Sequence, residues 1–100
     1  MKFEFEMIKT LRATNSKGEL CVIGEGDELW LKLELNRMDL YNKEFFLKKY
    51  PDGWVKGRVA WLSSSGKKIH FGLSDDVCTY LDLSHRDILD VSDKDPKEVM

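Results

Sequence analysis

The five residues Tyr50-Pro51-Asp52-Gly53-Trp54 constrain the fold of this chain more than any others. Proline sets φ for the second turn position and aspartate suits the third. Glycine takes the left-handed conformation that closes a bulged hairpin. A weaker turn signal follows at Ser64-Ser65-Gly66-Lys67. Residues 44–73 are therefore expected to form three antiparallel strands joined by two tight turns.

Strand side chains alternate, so this register sorts the stretch into two faces. If Tyr50 lies opposite Trp54, one face collects Phe45, Leu47, Val55, Val59, Trp61, Ile69, Phe71 and Leu73. That is the expected core. The other face collects Phe46, Lys48, Tyr50, Trp54, Lys56, Arg58, Lys68 and His70, mixing aromatic rings with positive charge. Formal charge by segment supports the contrast: −1 for residues 1–53, +4 for 54–72 and −5 for 73–100, within a total of −2. A strongly basic nucleic-acid binder is not indicated by the total, and only the middle of the chain has that character.

The remaining elements follow from periodicity and turn chemistry. Lys2 to Met7 alternates as a half-buried strand running on toward Ala13, and Asn15–Gly18 is a turn. Leu20–Ile23 is a short apolar run, Gly24–Asp27 a second turn, and Leu29–Leu35 a clear period-two strand. The segment 36–43 allows one short helical turn near 38–43, through the spacing of Met38 and Tyr41. Val77–Leu83 is rich in β-formers, Ser84–Asp87 suits one tight 3₁₀ or capping turn, and Ile88–Val91 suits a last strand. A helix over 77–89 is the alternative.

With 42% hydrophobic residues, 100 residues can bury a real core. The expectation is mainly β: a single small antiparallel barrel or sandwich of about six to eight short strands. Residues 1–91 form one domain in this reading, and the polar stretch 92–100 is a frayed tail. Cys21 and Cys78 sit among apolar residues, as buried free thiols do. The charged, alternating start MKFEFEMIKT is no signal-peptide core. These features fit a reduced cytoplasmic protein.

Chemistry-bearing motifs are weak. The soft ligands Cys21, His70, Cys78 and His85 lack metal-site spacing, so neither a metal nor another cofactor is expected. Asp93-Lys94-Asp95 begins like a calcium loop, but Pro96 follows and the required glycine is missing. Ser65-Gly66-Lys67 matches the end of a P-loop, yet Trp61 stands where the motif needs glycine. His70 and His85 could in principle serve as base and acid in a nuclease, a third-ranked reading, because nothing in the sequence brings them together.

Two binding readings remain, and no enzyme is expected. In the first, the chain is a stoichiometric protein partner of the inhibitor, immunity or antitoxin kind. Its contacts to a basic target would come from Glu25, Asp27, Glu28, Asp75, Asp76 and Asp82. In the second, Phe46, Lys48, Tyr50, Trp54, Lys56, Arg58, Lys68 and His70 form a stacking platform for single-stranded nucleic acid. The first ranks ahead because the whole chain is acidic.

Overall fold

The computed structural model describes residues 2–6, 10–38, 40, 43–63, 68–75 and 79–96, at 2–6 and 85 by backbone alone. Three strands, β1 (Lys2–Glu6), β2 (Thr10–Thr14) and β3 (Leu20–Gly24), form an antiparallel meander. Glu6 pairs with Thr10, so the chain reverses between them instead of running on as one strand to Ala13. The expected Asn15–Gly18 turn is present. The Asn15 side-chain oxygen accepts the Lys17 and Glu19 N–H groups at 3.0 and 2.9 Å. Gly18 takes a φ of 80°, where a side chain would be strained.

The second sheet contains β4 (Glu28–Leu33), β5 (Trp54–Leu62), β6 (Lys68–Leu73), β7 (Tyr80–Ser84) and β8 (Ile88–Ser92). Their spatial order is β7-β6-β5-β4-β8, with every pair antiparallel. Only one 3₁₀ turn, His85–Asp87, links β7 to β8, although they occupy opposite edges. An extended chain covers four residues in about 14 Å at most. A flat five-stranded sheet would hold its edges about 19 Å apart. The sheet must therefore curl. It stays open, because β7 and β8 do not pair. Of the two architectures allowed by the sequence, the molecule is thus the sandwich and not the closed barrel.

Alternation dictates what fills the space between the sheets. Leu29, Leu31 and Leu33 of β4, Val55 and Val59 of β5, and Ile69, Phe71 and Leu73 of β6 all face inward. Leu11, Ala13 and Ile23 close the core from the first sheet. Each large side chain buried here contributes about 1.5–3 kcal/mol. Gly57 is part of this packing, because a Cβ there would stand 2.6 Å from the Phe71 ring. Residues 80–92 form strand, 3₁₀ turn and strand, which settles the alternative over 77–89 for the described residues.

Two expectations from the central stretch fail, each for a physical reason. Residues 44–49 are not the first strand of a hairpin. They belong to a helix, α1 (Lys43–Lys49); of the helical turn expected near 38–43, residues 39, 41 and 42 lie outside the described residues. The segment KEFFLKK holds no β-branched residue, and Glu44 in its first turn with Lys48 and Lys49 in its last complement the helix dipole. Helical spacing buries Phe46 and stacks it on Tyr50 at 6.2 Å, leaving Phe45 59% exposed. The Pro-Asp-Gly turn itself forms as expected, with Gly53 N–H bonded to Tyr50 C=O at 3.0 Å and Gly53 at φ 81°. It joins helix to strand, and Tyr50 has no cross-strand pair with Trp54.

The second failure is Trp61. A bulge falls between Val59, opposite Phe71, and Trp61, opposite His70. Ala60 is the extra residue, so the alternation slips by one. Leu62 takes the core position, fully buried, and Trp61 is 47% exposed. The Glu25 carboxylate accepts the Leu62 N–H at 3.2 Å beyond the bulge. Among the described residues, no helix is long and apolar enough to cross a membrane.

Candidate functional site

The curled sheet turns its other face to solvent, and register fixes what stands there. Trp30 lies opposite Lys56, Lys32 opposite Trp54, and Glu28 opposite Arg58. The Arg58 row continues through Gly72 to Tyr80, and the Trp61 row through His70 to Asp82. Five members of the expected basic face, Trp54, Lys56, Arg58, Lys68 and His70, do share this surface. The other three do not: Phe46 is buried, while Lys48 and Tyr50 belong to the α1 end of the chain. Trp30, Trp61 and Tyr80 replace them as aromatic members.

Gly72 shapes the middle of the face. A Cβ there would come within 2.9 Å of the Tyr80 ring, so the ring lies directly on the glycine backbone. Tyr80 stacks on His70 with centroids 5.0 Å apart and planes at 18°. His70 Nδ1 meets the Asp82 carboxylate at 2.5 Å. The three side chains form one stacked and hydrogen-bonded cluster, with Trp61 beside it and Tyr80 still 52% exposed. A shallow depression of about 330 Å³ opens between Arg58, Ala60, Gly72 and Tyr80.

The charge of the face differs from that of the sequence segment that supplies its centre. Neighbouring strands bring Glu28, Asp82 and Asp90 among Lys32, Lys56, Arg58 and Lys68. Glu28 bridges to Lys56 at 3.5 Å. Arg58 and Lys68 have no ion pair among the described residues. Burial works against ionised Asp90. Hydrogen bonds from Ser16 and Val91, together with the Lys32 charge, outweigh it and hold the carboxyl below the ordinary aspartate value. Four cations against three carboxylates make this surface close to neutral.

The acidic residues expected to meet a basic target are dispersed, and those described are engaged within the chain. Glu25 caps the Leu62 amide, and Asp27 accepts the Gly24 N–H at 2.7 Å. Asp75 binds Lys49 at 2.8 Å and the Tyr50 hydroxyl at 3.0 Å. The Lys49 hydrogen bond is the main cause that depresses the Asp75 carboxyl, while burial raises the Tyr50 phenol. This node ties the end of α1 to the turn after β6. Asp76 and Cys78 lie outside the described residues, as does the His85 side chain. Cys21 is a half-buried free thiol whose pKa is raised first by burial and then by Asp93, Glu19 and Asp90. Among the described residues no group of His, Cys, Asp and Glu could hold a metal ion.

The signals for Trp30 and Tyr80 were present as alternation within their own strands, but only strand adjacency places them beside Arg58. No protein-family model, curated protein or solved structure matches the chain.

Proposed function

We propose that this chain is a non-catalytic protein-binding module of the reduced cytoplasm, acting as a stoichiometric partner through the outer face of its five-stranded sheet. The observation that carries the reading is a set of exposed Trp61, Tyr80 and Arg58 with half-buried Trp30 on a surface of nearly balanced charge. Protein interfaces concentrate their affinity in Trp, Tyr and Arg, held rigid and surrounded by polar groups. Inhibitors, immunity proteins and antitoxins work this way, since blocking a site needs only a complementary surface. A free thiol at Cys21 suits the reduced compartment.

Nucleic-acid binding draws most of its affinity from phosphate contacts that release counterions. Carboxylates interleaved among the lysines oppose that contribution. Tryptophan fluorescence titration with a mixed-sequence single-stranded oligonucleotide, at about 50 and 200 mM salt, tests the reading. It predicts no binding at micromolar concentrations in either buffer. Micromolar or tighter binding that weakens steeply with salt would overturn it in favour of the stacking platform.

A further inference from the structure

A groove of about 600 Å³ runs between β7 and described residues on either side of α1's start, from Arg37, Met38 and Leu40 to Phe45, Phe46 and Tyr50. One wall is the free edge of β7. Leu73 N–H donates to Thr79 C=O at 3.0 Å. Antiparallel alternation therefore points the backbone groups of Leu81 and Leu83 toward β6, and those of Tyr80, Asp82 and Ser84 away from it. The Ser84 N–H is taken by the Asp87 carboxylate at 2.9 Å. The N–H and C=O groups of Tyr80 and Asp82 have no partner among the described residues. Facing them across the groove are Met38, Leu40, Phe45 and Phe46.

Proteins usually blunt such an edge, and here the blunting stops at Ser84. Two residues spaced two apart, each offering an unpaired donor and acceptor, are what an added strand requires. We propose that this edge takes up an extended segment of a partner protein as a further strand, an inference that rests on the protein-binding reading above. Side chains of that segment would alternate. One set would extend the outer aromatic surface beside Tyr80, and the other would drop onto Leu40, Phe45 and Phe46. Lys49 is already bound to Asp75, whereas Arg37 is exposed and has no ion pair among the described residues. The matching segment is therefore apolar at alternate positions, with a carboxylate at the end that meets Arg37.

The probe is a fluorescein-labelled peptide, Glu-Ile-Thr-Val-Thr-Ile-Glu, followed by anisotropy and by backbone amide exchange. Saturable binding is expected, with exchange at Tyr80 and Asp82 slowed by about tenfold or more. Asp82→Pro removes a donor that the β6 ladder does not use, and should weaken binding about tenfold or more. Asp82→Ala keeps that N–H while losing the His70 contact, and should weaken binding clearly less than Asp82→Pro. Absence of peptide binding, protection confined to another strand, or equal affinity of a folded Asp82→Pro variant would overturn the proposal. If Asp82→Pro does not fold, amide protection in the parent protein decides alone. A concentration-dependent dimer that protects the same two amides would assign the edge to a second copy and also overturn it. With the oligonucleotide titration negative, such failures remove strand addition only. Tight oligonucleotide binding would remove the underlying reading.

Discussion

Replacing Gly53 by alanine should damage the fold far more than the same change at Gly18. Both glycines have φ near 80°, at 81° and 80° respectively. A side chain in that region costs about 1–2 kcal/mol. The entropy lost from the unfolded chain is the same for both and cancels. What differs is space. A Cβ at Gly53 would stand 2.8 Å from the Leu33 carbonyl oxygen, whereas at Gly18 nothing lies within 4 Å. Leu33 cannot retreat easily, because its N–H donates to Gly53 C=O at 2.8 Å. Overpacking of this kind adds about 1–3 kcal/mol. Gly53→Ala should therefore cost about 2–5 kcal/mol in total and Gly18→Ala about 1–2. Urea denaturation of the two variants and the parent, with a common slope, measures the difference directly. Equal losses would refute the close approach of the turn to β4.

Further outcomes follow from the same geometry. Leu62→Ala should cost about 3–5 kcal/mol as a core cavity, and Trp61→Ala only about 1; thermal unfolding in the reverse order would put Trp61 inside. Asp75 and Asp90 ionise more readily in the folded chain, so their contribution is present above the unfolded value of about 3.9 and is lost as pH falls through the folded values. Asp75→Asn and Asp90→Asn should each flatten the fall in urea midpoint below about pH 4, and an unchanged fall would remove that role. Burial and three nearby carboxylates raise the Cys21 pKa, so its alkylation followed by mass spectrometry should be slower than that of a free thiol at pH 8 and should accelerate with rising pH.

Where the sequence carried the fold, it did so through local chemistry. The Asn15–Gly18 and Pro51–Gly53 turns, the alternation of Leu29–Leu33 and the strand–turn–strand over 80–92 all rest on residues close in the chain. Residues 44–49 misled because Phe45, Leu47 and the lysines alternate as a strand would, while helical spacing also buries Phe46 against Tyr50. Only tertiary packing decides between them. The bulge at Ala60 has no signature in its own residues. It depends on how β5 meets β6, and it reversed the side assigned to Trp61. The proposed binding surface was half legible for the same reason. Lys56, Arg58, Lys68 and His70 could be grouped along one hairpin, but Glu28 and Asp82 reach that surface from strands whose order no local pattern fixes. Their arrival turns a basic patch into a nearly neutral one, which is the ground for proposing a protein partner over nucleic acid.

The central claim is that the outer face of the five-stranded sheet meets a protein. Photo-cross-linking in the native cell tests it most directly, with p-benzoylphenylalanine placed at position 61 and, in a separate variant, at position 20. Leu20 is 54% exposed on the other sheet, comparable with 47% for Trp61, so accessibility alone does not favour either position. The account predicts a discrete protein adduct from position 61 and none from position 20. An adduct from position 20 alone, or a nucleic-acid adduct from position 61, would contradict it.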